Sequence, residues 1–202
     1  MKKVFVVAVL AGVSILSSCG GGMSEEELQN TIDELTAELE EVVEEEELFV
    51  SEDGHFTIDF LGGNPSDQAS TIPTDVGDVE MHMYMYERSV TEAFMVAYSD
   101  YPSDMVNESD GADVLLQGAK NGAFTNLGII ASDEEKTIEI NGHPGLFFTG
   151  NNGQYYVSYE VYLVENRLYQ VAILRDGSYA SNKDVEDFTG SFKLTNQGDE
   201  EE

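Results

Sequence analysis

The segment GQYYVSYEVYLVENRLYQVAILR, residues 153–175, carries the strongest fold signal in this chain. Its two apolar runs are rich in valine, isoleucine and tyrosine, the residue types that fit a pleated strand. Glu165 and Asn166 separate the two runs as a two-residue turn. The segment therefore predicts an antiparallel hairpin with strands at Gln154–Val164 and Arg167–Arg175.

Similar turn signals lie upstream of this hairpin. Asn141–Gly142 and Asn152–Gly153 are dipeptides that tight hairpin turns favour, because asparagine and glycine tolerate a positive φ. They delimit two further strands, Thr137–Ile140 and Gly145–Gly150. Four strands joined by short turns predict an antiparallel meander.

Two stretches nearer the N-terminus alternate apolar and polar residues, the pattern of a half-buried strand. His55–Phe60 is the first, and Asp78–Arg88 is the second, with Ala93–Tyr98 as its antiparallel partner. One face of the second stretch holds Met81, Met83 and Met85, and the other holds Glu80, His82, Tyr84 and Tyr86. The segment Leu61–Gly77 is rich in glycine, proline, serine and threonine, and it predicts a long loop.

Two further segments have helical spacing. Apolar residues of Asp110–Asn126 recur at helical intervals, with Ser109 or Asp110 as a cap. Lys183–Phe192 predicts a short closing helix whose apolar side would rest on the sheet. The order of strands and helices predicts an α+β domain, an antiparallel sheet with helices packed on it.

Three segments of this domain read FTIDFLGGNPSD (56–67), YLVENRLYQVAIL (162–174) and VEDFTGSFKL (185–194). They resemble the PsbP-like and DcrB-like (Mog-type) domains of small bacterial lipoproteins, over roughly residues 48–195. The resemblance implies a PsbP-like fold and an accessory, binding or assembly role. Every matching position is a core or turn position, so the resemblance implies no catalytic residue.

The N-terminus has the order of an export signal. Lys2 and Lys3 precede an apolar run, Val4–Leu16, of 13 residues. A membrane-spanning helix needs about 20, so this run is too short to span. Leu16, Ser17, Ser18 and Cys19 resemble the lipobox of bacterial lipoproteins, in which the cysteine thiol receives a diacylglyceryl group before cleavage. The resemblance implies that residues 1–18 are removed and that Cys19 anchors the chain to a membrane.

The sequence says less about which membrane holds the lipid anchor and on which side of that membrane the protein lies. Gly20 follows Cys19, and it is not the aspartate that retains lipoproteins in the inner membrane of enteric bacteria. This favours the outer membrane and leaves surface exposure open. Because Cys19 is the only cysteine, lipidation leaves no thiol for a disulfide or a nucleophile.

The charge balance excludes one class of partner. The chain has 40 acidic and 9 basic residues, a formal net charge of -31. Nucleic-acid binding depends on clusters of lysine and arginine, so no nucleic-acid partner is expected. The acidity is either a means of binding cations or an adaptation to saline surroundings.

The uneven distribution of acidic residues marks the domain boundaries. Residues 24–47 hold 12 acidic residues and no basic or aromatic ones, whereas residues 48–198 hold every aromatic residue that follows the leader. We therefore expect a leader at 1–18, a glycine linker and acidic helical stalk at 19–47, one domain at 48–198 and an acidic tail at 199–202. The stalk has an apolar seam of Leu28, Ile32, Leu35, Leu39 and Val42. It predicts either a short coiled coil or a solvated linker helix.

A search for chemistry finds few candidates. The chain lacks the G-x-S-x-G, P-loop, G-x-G-x-x-G and H-E-x-x-H motifs, so neither enzyme activity nor a cofactor is expected. His55, His82 and His143 have no short ligand spacing, and no metal site is predicted from them. The three methionines of the second alternating stretch are interpreted as core beneath a helix rather than as soft-metal ligands.

Tyrosines provide the one candidate binding surface. Exposed tyrosines on one sheet face can bind protein or glycan, because they offer a large apolar area with few rotatable bonds. The candidates are Tyr84, Tyr86, Tyr156 and Tyr162. The sequence thus leaves two functions. One is a noncatalytic envelope lipoprotein that binds a protein partner or assists assembly, and the other is a lipoprotein that binds a cation or small solute.

Overall fold

The computed structural model describes residues 48–74, 77–106 and 111–195. Its small sheet has the order β1-β2-β10, formed by Phe49–Ser51, Phe56–Ile58 and Lys193–Leu194. Its large sheet has the order β3-β4-β5-β9-β8-β7-β6. In that order the strands are Ser66–Thr74, Gly77–Ser89, Glu92–Asp100, Arg167–Asp176, Tyr155–Val164, His143–Asn151 and Ser132–Ile140. The helices are α1 (Ser103–Val106), α2 (Gly111–Leu127) and α3 (Asn182–Ser191).

The meander of β6 to β9 confirms the hairpins that the turn signals predicted. Each strand pairs antiparallel with the next, and Asn141–Gly142 and Glu165–Asn166 are the two-residue turns. Asn141, Gly142, Gly153 and Glu165 all have a positive φ. Asn152 closes its own turn because its Oδ1 accepts from the backbone N–H groups of Gln154 and Tyr155.

Apolar side chains of the large sheet form a separate core cluster on each face. Alternate residues of β9 belong to different clusters, since Tyr169 and Val171 join the first and Leu168 and Ala172 the second. The small sheet and α3 cover the first cluster through Phe56, Phe188 and Phe192. Helix α2 covers the second cluster, over β7 and β8, through Leu115, Leu116 and Phe124.

The α+β fold with helices packed on the sheet, in the PsbP-like manner, is the wrong expectation. The described residues form a β-rich fold of ten strands in two antiparallel sheets, and a second sheet supplies much of the cover. Strands β1, β2 and β10 are two or three residues long. Such short strands give almost no periodic signal, so the sequence predicted one strand here, His55–Phe60, and missed the sheet to which it belongs.

The prediction of a loop over Leu61–Gly77 is also wrong. Nine of these residues form β3, which pairs along its whole length with β4. Most of β3 is exposed because it is the outermost strand of the large sheet. An edge strand with little burial needs no apolar alternation, so its polar sequence looked like a loop.

Several predictions concern residues outside the described ranges. These are the leader, the lipidated Cys19, the helical stalk at 24–47 with its coiled coil, and the acidic tail. Within the part of the chain that the structure describes, no helix has the length and apolar character needed to cross a membrane.

Candidate functional site

A groove of about 250 Å³ lies between α2 and the outer hairpin of β6 and β7. Buried leucine side chains lie at its floor, and polar side chains form its rim. The lining residues are Asp113, Leu116, Gln117, Glu135, Lys136, Thr137, Pro144, Gly145 and Leu146. The groove therefore depends on two segments that are separate in sequence and meet where α2 lies against the sheet.

The floor of the groove is part of the second core cluster. Leu116 of α2 and Leu146 of β7 are both buried there. Their neighbour Phe148 is fully buried, and Phe124 meets it edge-on with ring centroids 5.4 Å apart. Because the helix is held by this core, the floor keeps its shape without a ligand.

Glu135 forms one side of the rim and ties β6 to α2. Its carboxylate accepts hydrogen bonds from Lys120 Nζ at 2.8 Å and Gln117 Nε2 at 3.1 Å. A third bond of 3.1 Å comes from Ser132 Oγ. The hydrogen bond from Lys120 is the main reason that the pKa of Glu135 lies below its ordinary value. This carboxylate is thus ionised and already paired.

Asp113 forms the helix side of the rim. It lies in the first turn of α2 and is exposed. In contrast to Glu135, its carboxylate makes no hydrogen bond or ion pair with another described residue. The rim therefore offers one negative charge that no described residue neutralises.

Strand β6, at the end of the large sheet, borders the groove. It pairs with β7 on one side and with no described strand on the other. Residues 133–137 of this strand are all exposed. Glu135 points toward α2, whereas Lys136 lies over the ring of Phe147 on the opposite face, 4.3 Å from its centroid. An unpaired edge thus runs beside a groove with an apolar floor.

A second hollow of about 170 Å³ lies at the turn between β8 and β9, and Arg167 dominates it. The Arg167 guanidinium donates to both oxygens of Asp100, at 2.6 and 2.7 Å, and to the backbone oxygen of Asp53 at 2.7 Å. It also lies over the ring of Tyr98. Tyr169 donates to the backbone oxygen of Gly54 at 2.8 Å. These bonds hold the β1–β2 turn on the large sheet and leave few donors for a ligand.

The four tyrosines predicted as a binding surface do not share an exposed face. Tyr84 packs on Phe49, with centroids 4.7 Å apart, and Tyr86 stacks on Phe94 at 6.2 Å. Tyr162 is buried and stacks on Phe192. Tyr156 is half-buried and meets Tyr179 edge-on at 5.0 Å. The first three belong to the first core cluster or pack against it, so only Tyr156 lies apart from them.

A row of directly paired residues explains the placement of Tyr162. His82, Tyr98, Tyr169 and Tyr162 lie side by side across β4, β5, β9 and β8. The next residue in the row is Gly145 of β7. A Cβ at Gly145 would lie 2.5 Å from a ring atom of Tyr162, so glycine leaves the space that this ring occupies. The tyrosine-rich pattern thus encodes cross-strand packing beneath the small sheet.

The histidines and methionines are likewise separated. His82 stacks on Tyr98 with centroids 4.9 Å apart, and its Nε2 is 3.6 Å from Glu80. Met81, Met83 and Met85 are half-buried and belong to neither core cluster. Among the described residues, no group of three or more histidine, cysteine, aspartate and glutamate side chains could hold a metal ion.

Burial of the tyrosine row predicts a pH dependence at high pH. Burial is the main cause that raises the pKa of Tyr98 to about 12, and it also raises the pKa of Tyr162 and Tyr169. An unfolded tyrosine ionises near pH 10. The fold favours the neutral phenol, so the stability that these tyrosines contribute should be fully present below pH 10 and be lost between about pH 10 and 12.

Absorbance at 295 nm measures this ionisation. The folded protein should show a late phase near pH 12, and Tyr98→Phe should remove part of it. Denaturant midpoints measured at the same pH values should fall over the same interval. Complete ionisation of all tyrosines near pH 10 without unfolding would contradict the burial of this row.

No protein-family model matches this chain, and no curated protein matches it. One solved structure with partial similarity is a crystal structure from Bacteroides thetaiotaomicron VPI-5482 at 1.50 Å resolution. It has a TM-score of 0.45 and 9% sequence identity, and the match covers 75% of this chain and 49% of that chain. This chain thus spans about half the length of that structure, and a likeness of this size supports no argument about function.

Sequence reasoning missed the groove entirely. Asp113 reads as an ordinary first-turn acid of a helix, and Glu135 as one of several charges on a polar strand. A usable signal was present in the strand, because Asp133–Lys136 places four charged residues beside an apolar hairpin. That pattern is typical of a sheet edge, but it does not reveal which helix lies beside it.

Proposed function

We propose that this protein is a noncatalytic, lipid-anchored lipoprotein of the cell envelope that binds a protein partner. The observation that carries the binding role is the groove between α2 and β6, which lies beside an unpaired strand edge. Extended segments of proteins bind at such edges, because main-chain hydrogen bonds give affinity and adjoining pockets give specificity.

The anchor is proposed from the sequence alone. A short apolar run after Lys2 and Lys3, followed by Leu16-Ser17-Ser18-Cys19, is the pattern of a lipidated leader. Such an anchor would confine this protein to a membrane surface and so raise its effective concentration for any partner held at the same surface. We propose the outer membrane as the site of anchoring.

Photo-crosslinking in cells tests the binding role directly. A photoreactive amino acid at Thr137, on the exposed edge beside the groove, should form a discrete adduct with another protein. The matched control places the same amino acid at Glu186, an exposed position on α3. Adducts from position 137 and none from position 186 are expected.

The second arm of this experiment tests the anchor. Wild-type protein should incorporate a fatty-acid analogue and fractionate with membranes, whereas Cys19→Ser should do neither, because the thiol is the acceptor. The absence of any adduct from position 137, or equal adducts from both positions, would overturn the binding role. Label on the Cys19→Ser protein would overturn the anchor.

A further inference from the structure

We infer that the groove binds a lysine or arginine side chain of an extended, basic segment, and that this segment pairs with β6 as an eighth strand of the large sheet. This inference rests on the proposed binding role and specifies the chemistry of the partner. It is carried by three features of one place in the fold: an unpaired edge, an apolar-floored groove and an uncompensated carboxylate.

Strand β6 is better suited to pairing than the opposite edge of the sheet. Strand β3 also lies at an end of the sheet order, but it contains Pro73, which has no N–H to donate. Strand β6 contains no proline, and residues 133–137 are exposed. A groove borders β6, whereas β3 contributes no residue to either hollow.

The register of β6 places alternate side chains of an added strand over the groove. Glu135 faces α2, so Thr137 and Glu139 face the same way by the period of two. Neighbouring strands lie about 4.8 Å apart, so a long side chain on that face of the new strand would lie beside Glu135 and Thr137, which line the same groove as Asp113. The aliphatic part of a lysine or arginine suits the floor, and its charged end suits the Asp113 carboxylate.

Charge selects the partner and excludes a second copy of this chain. Pairing β6 with another β6 would bring Asp133, Glu134 and Glu139 against an equally acidic strand, and like charges opposite each other are destabilising. This chain has only 9 basic residues against 40 acidic ones, so the basic segment comes from a different protein. The same charges that block self-pairing thus favour a cationic strand.

The test uses the full-length protein and a short synthetic peptide that alternates lysine and valine. Binding is measured by fluorescence anisotropy, and hydrogen exchange locates it on the chain. We expect slower amide exchange within residues 132–140 when the peptide is bound, and no change in β3. A peptide that alternates glutamate and valine should not bind, and a peptide with prolines in place of the valines should lose the protection in β6.

Two charge reversals identify the carboxylate that is involved. Asp113→Lys should weaken binding by about fivefold or more, the effect of reversing one partly exposed ion pair. Glu186→Lys changes the net charge equally and should leave the affinity within about twofold. Both positions are exposed, so both variants should keep the circular dichroism spectrum of the wild type.

Four results would overturn the inference. They are equal weakening by the two reversals, no protection of β6 by the basic peptide, protection of β3 instead of β6, and equal binding of the acidic peptide. These outcomes are distinct from failure of the proposed function. A protein adduct from position 137 in cells, together with no peptide protection of β6, would retain the binding role and reject the basic strand.

Discussion

Glu92→Ala is expected to lower the free energy of unfolding by about 3 kcal/mol, the low end of the range for breaking a buried ion pair. The Glu92 side chain is only 6% exposed and lies between Arg88 and Arg175. Arg88 donates to its Oε2, and Arg175 Nε lies 3.2 Å from its Oε1 without forming a hydrogen bond. Truncation leaves two guanidinium groups without this carboxylate. Both arginines are about one-third exposed, so water offsets part of the cost.

The same cluster holds α3 on the sheet. Arg88 also donates to both oxygens of Asp184, at 3.2 and 3.1 Å, and these bonds are the main reason that the pKa of Asp184 is lowered.

Urea unfolding followed by circular dichroism measures the stability loss of Glu92→Ala, since the chain has no tryptophan for fluorescence. Glu87→Ala, at an exposed position of β4, is the matched control and should change stability by less than about 0.5 kcal/mol. A similar small change for Glu92→Ala would show that the cluster contributes little.

Phe56→Ala should have an effect of similar or greater size, about 3–5 kcal/mol, the usual cost of removing a buried phenylalanine ring. Phe56 is fully buried at the start of β2. Its ring meets Phe192 at 5.4 Å, Tyr84 at 5.8 Å and Tyr169 at 6.3 Å between centroids. It therefore joins the small sheet to the large one, and its loss leaves a cavity between them.

Two further variants make this measurement specific. Thr57→Ala, on the opposite side of the same strand and half-buried, should cost less than about 1 kcal/mol. Phe56→Leu keeps part of the apolar volume and should fall between the two. If Phe56→Ala cost no more than Thr57→Ala, the small sheet would not be a layer of the core.

The hairpins of the large sheet were predictable because their signals are local. Turn residues such as Asn141 and Gly142 favour the positive φ that a tight turn requires, whatever the rest of the chain does. The strands between them are long and rich in β-branched and aromatic residues. The helices α2 and α3 also begin and end within about two residues of their predicted bounds, because helical spacing over ten or more residues is a strong signal.

The edge and cover of the sheet were not predictable in the same way. Strand β3 pairs only with β4 and is mostly exposed, so its side chains need not alternate between apolar and polar. Strand β10 has two residues and exists because Lys193 and Leu194 meet β2 from the far end of the domain. This pairing joins residues that are far apart in the sequence, so no short stretch of sequence predicts it. The wrong fold class follows from these omissions.

The candidate surfaces show the same limit. Tyr84 and Tyr86 do share a strand face, as the period of two required, but the sequence could not show that the small sheet covers that face. Tyr162 lies in a row with Tyr98 and Tyr169 only because the strand order places β5, β9 and β8 side by side. The groove is a stronger candidate because it stays open to solvent after the small sheet and the helices have packed on the large sheet.

The sequence by itself determined the acidic balance, the hairpin turns and which residues alternate within each strand. These properties depend on composition or on neighbours along the chain. Only the tertiary structure decided which sheet face is buried, which strands become edges, and that Asp113 and Glu135 line one groove. The physical reason is that burial and edge pairing are relations between segments far apart in sequence, so the side chains at one position do not specify what will cover them.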